Sequence, residues 1–277
     1  MENLRIALVQ MQSVVGATES NLKKIKGFAE QAYTKNVDII CFPELAVQGY
    51  TRESAYELAE SVPGPSSDFL TSTAKQYGII ILAGFIEKSQ DGIKPYITQL
   101  VCFPDGTQEK YRKTHLGQSE APYFQPGNEL PTFQCSKAKF SLQICWDLHF
   151  PELSTIYSLK GAEIIFAPHA SPSIVGDRRE IWLRYMTARA YDNALFVAAC
   201  NLVGENAIGS EFGGGALVIG PKGQVLAEDF NNQEGLLIVD LPQEQINKIR
   251  YEERTTMRNS YYLEYRRPEL YKDIFKK

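Results

Sequence analysis

The chain has 277 residues, of which 44% are hydrophobic and 22% charged, an ordinary globular composition with enough apolar material for a large core. The formal net charge of −4 gives no reason to expect a nucleic-acid or anionic-membrane partner. The N-terminus starts directly with a predicted strand rather than a signal peptide, and no apolar run approaches the roughly 18–20 residues that a membrane helix needs.

The first half of the chain is predicted to contain strands separated by helices, followed by a hairpin. Apolar residues at three- and four-residue steps predict a helix in TESNLKKIKGFAEQAYTK, with Thr18 or Ser20 as its cap. Further helices are predicted around Glu53–Glu60 and Ser66–Tyr77, on either side of the breaker VPGP. The predicted strands are Leu4–Gln10, Val37–Phe42, Gly78–Phe85, Tyr96–Phe103 and Gln108–Lys113, the last two joined by a PDGT turn.

The second half begins with a Gly- and Pro-rich segment, residues 114–133, that is too polar to be core. Helices are predicted at Pro151–Gly161 and Asp177–Asn193, and the run Asp177–Arg179 is interpreted as a solvated helix start rather than a site for a charged substrate end. In the second helix, we expect one face to carry Ile181, Tyr185, Ala188 and Tyr191 or Asp192. The predicted strands are Ala138–Cys145, Ala162–Pro168, Ala194–Cys200, Gly213–Gly220, Gln224–Glu228 and Glu234–Leu241.

Two kinds of strand indicate the architecture. Several strands are apolar throughout, which predicts that both of their faces are covered, whereas others alternate and are joined by hairpins. Mixed sheets with helices packed outside them fit this pattern best. We expect a single α/β domain over residues 1–250 and a polar, aromatic C-terminal tail over residues 251–277.

The five cysteines, Cys41, Cys102, Cys135, Cys145 and Cys200, are scattered, odd in number and without CxxC spacing. This pattern favours free thiols in a reducing compartment over a disulfide framework. A cytoplasmic protein is therefore expected.

Three strands are expected to end on a chemically capable residue: Glu44, Lys113 and Cys145. Strand ends of an α/β sheet are where catalytic groups gather, because rigid elements direct them into one crevice. A thiolate can attack a carbonyl or nitrile carbon, a carboxylate can take the thiol proton and later activate water, and an ammonium can stabilise an oxyanion. Taken singly, each has a plainer interpretation: a buried structural cysteine, a capping glutamate and a solvated lysine.

The sequence motifs around these residues decide between a catalytic and a purely structural interpretation. FPELAVQGY, YRKTHL and ICWDLHFPEL resemble the glutamate, lysine and cysteine motifs of the nitrilase superfamily of carbon–nitrogen hydrolases, in the right order and with separations of 69 and 32 residues. Further similarity in EAPYFQPG, ARAYDNALFVAACNLVG and FGGGALVIGPKGQVLAE extends the resemblance over about residues 4–240.

The resemblance implies a four-layer α-β-β-α sandwich with two mixed sheets, a homodimer or higher homo-oligomer, and a C-terminal tail that packs on a partner subunit. It implies a thioester at Cys145, formed with release of ammonia or an amine and then hydrolysed, without metal or organic cofactor. Glu44 is implied as base, Lys113 as electrostatic and acid partner, and Glu120 as the second glutamate that orients the site. The backbone N–H of Trp146 is implied to help hold the oxyanion.

Two further residues are candidates for substrate binding. His169, in APHASP, follows a predicted strand, and Tyr50 ends the glutamate motif; for Tyr50 a plain core position is the alternative. The three histidines are too widely spread to indicate a zinc site.

Asp147 directly after Cys-Trp, where nitrilases usually carry Glu, favours an amidase or N-carbamoyl amidohydrolase acting on a small linear substrate. Leu148 and His149 replace the paired arginines of the branch that acts on N-carbamoyl-D-amino acids, and the segment only partly matches the ω-amidases. A nitrilase, a catalytically idle binding protein on this fold and an ammonia supplier to a separate synthetase stay open.

Overall fold

The computed structural model describes residues 1–252, residue 256 and residues 259–276. Within these residues the strands are β1 (Leu4–Gln10), β2 (Ile39–Cys41), β3 (Ile80–Glu87), β4 (Tyr96–Cys102), β5 (Gln108–Arg112), β6 (Phe133–Gln134), β7 (Lys139–Leu142), β8 (Ile164–His169), β9 (Phe196–Asn201), β10 (Val203–Glu205), β11 (Glu211–Gly213), β12 (Ala216–Ile219), β13 (Val225–Asp229) and β14 (Gly235–Leu241). The α-helices are α1 (Thr18–Thr34), α2 (Ala55–Leu58), α3 (Pro65–Tyr77), α4 (Pro151–Leu159), α5 (Arg178–Asn193) and α6 (Gln243–Arg250).

Two six-stranded mixed sheets form the centre of the fold. The first has the order β14-β1-β2-β3-β4-β5 and the second the order β13-β12-β9-β8-β7-β6. β1, β2 and β3 are parallel, as are β7, β8 and β9, while the outer pairings are antiparallel. Because β5 is two antiparallel steps from β3, it runs in the same direction as β3. The C-terminal ends of β2 and β5 therefore lie at the same end of the first sheet.

Three apolar layers make these sheets a sandwich. One cluster joins the facing sides of the two sheets, with β1 and β2 on one side and β7, β8 and β9 on the other. A second cluster packs α1 and α3 on the outer face of the first sheet, and a third packs α5 on the outer face of the second. The order of layers is helix, sheet, sheet, helix, as the resemblance implies.

The two sheets approach closely enough for their thiols to touch. The sulfurs of Cys41 in β2 and Cys200 in β9 lie 3.9 Å apart, and both side chains are fully buried. All five cysteines are free.

Most predicted strands and helices are present, but the three strands that precede the candidate catalytic residues end earlier than predicted. β2 ends at Cys41, β5 at Arg112 and β7 at Leu142, so Glu44, Lys113 and Cys145 follow the strands instead of ending them. Hydrophobicity alone does not mark these ends, because Phe42 and Ile144 continue the apolar runs and are fully buried outside the ladder.

The face of α5 that carries Ile181 and Tyr185 is not its most buried face. The buried residues of α5 are Trp182, Met186, Ala190 and Asn193, whereas Ile181 and Tyr185 are only half-buried. α1 also begins differently, because its N-cap is Ala17 and neither Thr18 nor Ser20 caps it through a side chain. The short strands β6, β10 and β11 and the helix α6 were not predicted, since each is too short or too polar to produce a clear period.

The tail beyond residue 250 is partly described; residues 253–255, 257, 258 and 277 lie outside the described residues. Tyr261 hydrogen-bonds to Ser158 of α4, and Tyr262 to Tyr191 of α5, at 3.0 Å and 2.8 Å. These contacts are within one chain, and the packing of the tail on a partner stays a prediction. No helix in the described part of the chain is long and apolar enough to cross a membrane.

Candidate active site

A buried lysine binds two buried carboxylates at the edge where β2 and β5 end. Lys113 donates from Nζ to Oε1 of Glu44 at 2.7 Å and to Oε1 of Glu120 at 2.8 Å. The three side chains are between 0% and 6% exposed. Burial lowers the pKa of Lys113, but the Coulombic attraction of both carboxylates outweighs it and raises that pKa well above its usual value.

The two carboxylates have different environments. Burial raises the pKa of Glu44 to about 7, and Lys113 opposes this rise. Glu120 is also buried, but attraction to Lys113 and hydrogen bonds from Gly117 N and Tyr50 Oη lower its pKa. Near pH 7 Glu44 can therefore gain or lose a proton, whereas Glu120 stays ionised.

Cys145 lies on a tight turn between β7 and α4. Its φ of +47° is in the left-handed region, which is rare for a residue with a side chain, and its sulfur lies 3.6 Å from Ser171 Oγ. Burial first, and then repulsion by Glu44, raise the pKa of Cys145 to about 12. At neutral pH the resting group is a thiol, so any nucleophilic role requires a base.

The loop after β8 joins the carboxylate to the thiol. Ala170 N donates to Oε2 of Glu44 at 3.0 Å, and the next residue, Ser171, contacts Cys145. Asn201 at the end of β9 fixes this loop by accepting from Ser171 N at 2.8 Å and donating to Ser171 O at 3.1 Å. The two consecutive residues Ala170 and Ser171 therefore set the position of Glu44 relative to Cys145.

Gly84 in β3 allows the Glu44 turn to pack against the sheet. A Cβ at Gly84 would lie 2.2 Å from Leu45 N and 2.3 Å from Pro43 O, distances that real Cβ atoms do not adopt. Leu45 itself has a φ of +52°. The sharp turn that presents Glu44 thus requires a residue without a side chain on the neighbouring strand.

Asp147 ties the cysteine turn to the lysine segment. Its fully buried carboxylate accepts from Ile144 N at 3.0 Å, Tyr111 Oη at 2.7 Å, Thr114 Oγ1 at 3.0 Å and His115 N at 2.9 Å. Two of these donors follow Lys113 directly, so this carboxylate fixes the lysine segment against the cysteine turn.

These groups open into a cavity of about 730 Å³. Lys113, Glu120, Cys145, Trp146, Tyr50 and His169 line it, and Glu44 lies behind Lys113. All the residues predicted for the site are therefore near one another. Trp146 is 44% exposed, and its ring packs at a tilted angle against the ring of His149. The His149 ring lies 4.7 Å from the ring of Tyr185.

His169 presents an acceptor among the cavity residues. Its Nδ1–H donates to Ala167 O at 2.8 Å, and burial lowers its pKa well below the usual value. The ring is therefore neutral, and Nε2, which is buried, has no hydrogen-bond partner in the described part of the chain.

The sequence reasoning missed several residues that the structure places here. From sequence, Asp147 indicates only which branch of the family the chain resembles, and no pattern marks Ser171, Asn201 or Gly84 as part of the site. Arg178, interpreted from sequence as part of a solvated helix start, lines the cavity. Among the described residues no group of three or more His, Cys, Asp or Glu side chains is arranged to hold a metal ion.

Comparisons with known proteins agree with this geometry. The family model described as carbon-nitrogen hydrolase matches residues 5–251. The 2-oxoglutaramate amidase of Bacillus subtilis is 34% identical over 250 residues, covering 88% of this chain and 93% of its own. The omega-amidase NIT2 of Homo sapiens is 30% identical over 260 residues, covering 90% and 92%.

One solved structure shares the fold and has a reactive cysteine of its own. It is a mutant of the amidase from Nesterenkonia sp. AN1 that shows Michael addition of acrylamide at its active-site cysteine. Its TM-score to this chain is 0.83, with 27% identity, and the match covers 98% of this chain and 99% of that one.

We expect Asp147→Asn to lower the free energy of unfolding by about 3 kcal/mol, because the amide nitrogen cannot accept the hydrogen bonds that one carboxylate oxygen now accepts. Urea unfolding measures the loss. Asp192→Asn, at an exposed position of α5, is the matched control and should change stability by less than about 0.5 kcal/mol. Equal midpoints for the two variants would contradict the role given to Asp147.

We expect Gly84→Ala to displace the Glu44 turn and to reduce hydrolysis of a small amide, the activity named for the relatives above, by about 100-fold in kcat/KM. Overpacking should also cost about 1–3 kcal/mol of stability. Gly27→Ala is the control, because a Cβ at Gly27 in α1 would meet nothing within 4 Å. An unimpaired Gly84→Ala enzyme would show that the close approach is not required.

Proposed function

The chain belongs to the carbon–nitrogen hydrolase family of the nitrilase superfamily, and the members compared above are amidases. We propose that it hydrolyses a small amide through a thioester at Cys145. The observation that carries this proposal is the Lys113 ammonium held between Glu44 and Glu120 in the cavity that also contains the Cys145 thiol.

Glu44 is proposed as the general base. Its pKa of about 7 and its link through Ala170 to the loop that contacts Cys145 support this role. Because the pKa of Cys145 is about 12, the thiol should lose its proton to Glu44 only as sulfur attacks the amide carbon.

Lys113 and the backbone N–H of Trp146 are proposed to hold the oxyanion. A cation fixed by two carboxylates needs no reorganisation when negative charge develops on the substrate oxygen, and this preorganisation is the main source of electrostatic stabilisation. Glu120 is proposed as a positioning residue, supported by its hydrogen bonds to Lys113, Tyr50 and Gly117. Tyr50 and His169 are proposed as substrate contacts because both line the cavity.

The proposed reaction has two halves. As the S–C bond forms, the Cys145 proton passes to Glu44 and the carbonyl electron pair moves to oxygen. Collapse of this oxyanion breaks the C–N bond, and the nitrogen leaves as ammonia or an amine with the proton from Glu44. Water then gives its proton to Glu44 and attacks the thioester, which releases the carboxylic acid and restores the thiol.

The two amidases compared above favour the amidase branch, while a nitrilase of Pyrococcus abyssi that is 32% identical over 245 residues keeps the nitrile substrate as the alternative. The N-carbamoyl substrate, the nitrile and the idle binding protein are distinguished by an assay of ammonia release from small amides, N-carbamoyl amines and nitriles.

We also propose a homodimer in which residues 251–277 reach the partner, and a cytoplasmic location. The resemblance supports the dimer, and the free cysteines support a reducing compartment. Light scattering on the full chain tests the dimer.

We expect kcat/KM for a neutral amide to fall about tenfold per unit as pH drops below about 7, because only ionised Glu44 can accept the thiol proton. A stopped ammonia assay between pH 5 and 8 measures this, with circular dichroism to confirm that the fold persists. His149→Gln should keep the same decline, since His149 is not the proposed base. A flat profile would contradict the assignment of Glu44.

We expect Cys145→Ala to lower kcat by at least about 10⁴-fold while the melting temperature stays within a few degrees, because the change removes one atom from a half-buried turn. Cys135→Ala is the control, since Cys135 is also half-buried but lies in the β6–β7 turn outside the cavity. Full turnover in Cys145→Ala, or loss in both variants, would refute the proposal.

A further inference from the structure

The hydroxyl of Ser171 contacts the sulfur of Cys145. Oγ and Sγ lie 3.6 Å apart, a separation suited to a hydrogen bond with sulfur, whose radius exceeds that of oxygen. No other hydrogen bond to this sulfur is found in the described part of the chain. Ser171 is only 9% exposed and lines the cavity beside Cys145. Its hydroxyl therefore touches the atom that attacks the substrate in the proposed reaction.

The hydroxyl of Ser171 is free to donate to that sulfur. The N–H and C=O of its own backbone are bound by Asn201, and its Oγ has no second partner among the described residues. Next to a resting thiol, either group can be the donor. A thiolate can only accept, so the hydroxyl must donate to it. Such a hydrogen bond strengthens as negative charge develops on the sulfur.

The charges around the sulfur make a neutral donor valuable. Burial, and then repulsion by Glu44, raise the pKa of Cys145 to about 12. Lys113 and the hydrogen bond with Ser171 oppose this rise, whereas Glu120 adds to it. A hydroxyl can stabilise the thiolate without changing the net charge of a region that already holds one ammonium between two carboxylates.

Asn201, the last residue of β9, holds Ser171 in place. Its fully buried side chain accepts from Ser171 N at 2.8 Å and donates to Ser171 O at 3.1 Å. The same amide nitrogen also donates to Gly214 O at 2.9 Å. Because both backbone groups of Ser171 are bound by one side chain, its hydroxyl is fixed in position next to Cys145.

The glycine run in EFGGGA allows the Asn201 side chain to reach this position. Gly214 and Gly215 have φ values of +68° and +116°. A Cβ at Gly214 would lie 2.5 Å from Oε1 of Gln10, which accepts from Gly215 N. Gln10 is buried at the end of β1 in the first sheet. Polar contacts therefore continue from the first sheet through the glycines and Asn201 to Ser171.

We propose that Ser171 is a further catalytic residue whose hydroxyl donates a hydrogen bond to the Cys145 sulfur as negative charge develops there, and that Asn201 is its positioning residue. In the first half of the reaction the sulfur is stabilised while its proton passes to Glu44 and the S–C bond forms. In the second half the same bond stabilises the sulfur as it leaves the thioester. Ser171 keeps its own proton throughout.

This inference rests on the proposed attack by Cys145, but the hydrogen bond can be measured without amide hydrolysis. Iodoacetamide alkylates the thiolate, and mass spectrometry of the Cys145 peptide measures the rate at about pH 8. We expect Ser171→Ala to slow this reaction by about tenfold, because a lost hydrogen bond to a charged group raises the pKa by about one unit.

Two variants control the alkylation experiment. Ser171→Thr keeps the hydroxyl and should react within about threefold of the wild type. Ser173→Ala removes a hydroxyl two residues away, at an exposed position outside the cavity, and should leave the rate unchanged. Equal rates for Ser171→Ala and the wild type would overturn the proposal, as would equal slowing in Ser171→Ala and Ser171→Thr.

Turnover distinguishes a catalytic hydroxyl from a substrate contact. With the small amide that the wild type hydrolyses best, Ser171→Ala should lower kcat by about tenfold and change KM by less than about twofold. A higher KM with unchanged kcat would overturn the catalytic role. If the wild type releases no ammonia from any amide but the difference in alkylation persists, the hydrogen bond stands and the proposed hydrolysis fails.

A double-mutant comparison tests the role of Asn201. Asn201→Ala should slow alkylation of Cys145 by about the same factor as Ser171→Ala, and the combined variant should lose at most about threefold more, because the hydroxyl is already missing. Losses that multiply would overturn the assignment of Asn201. Circular dichroism checks that each variant is folded, and the Ser171 variants test the hydroxyl independently of Asn201→Ala.

Discussion

The buried ammonium of Lys113 is the constraint on which the site depends. An ion taken out of water costs several kcal/mol unless opposite charges and hydrogen bonds compensate it. Here the compensation comes from Glu44, after β2, and Glu120, in the loop after β5, so both segments must converge wherever Lys113 is buried. Removing either carboxylate would leave the buried ammonium with one fewer anionic hydrogen-bond acceptor. The segments that follow β2 and β5 are thereby fixed around the Lys113 ammonium.

The second sheet contributes the thiol, and the apolar layer between the sheets sets how the two halves meet. Contact between Cys41 and Cys200 shows how closely the facing strands approach. Hydrogen bonds cross the gap at this end of the sandwich, from His115 N of the lysine segment to Asp147 and from Ala170 N to Glu44. Apolar packing holds the two sheets together but is not directional. These few hydrogen bonds fix how the residues of one sheet are aligned with those of the other.

Much of the fold was predictable because its signals are local. The sequence shows directly the apolar runs of β1, β3, β8 and β9 and the helical periodicity of α1. The family resemblance and the sandwich were predicted correctly from three short motifs, and the structure brings Glu44, Lys113 and Cys145 together.

What sequence could not supply depends on contacts between distant segments. Gly84 matters through the backbone of Pro43–Leu45, which lies about forty positions earlier. Asp147 matters because Tyr111, Thr114 and His115 donate to it. The buried face of α5 does not stand out in the sequence because the helix has one side on the sheet and another on the cavity, so apolar residues occupy more than one face.

The two sides of α5 have a consequence for how this protein can change over evolutionary time. Trp182, Met186 and Ala190 anchor the helix on the second sheet, and only its first two turns reach the cavity. The charged groups at the base of the cavity belong to other segments. Substitutions in those first turns can therefore alter the chemical character of the cavity without disturbing the buried charges. A new substrate preference can arise in this part of the helix at little cost to the rest of the site.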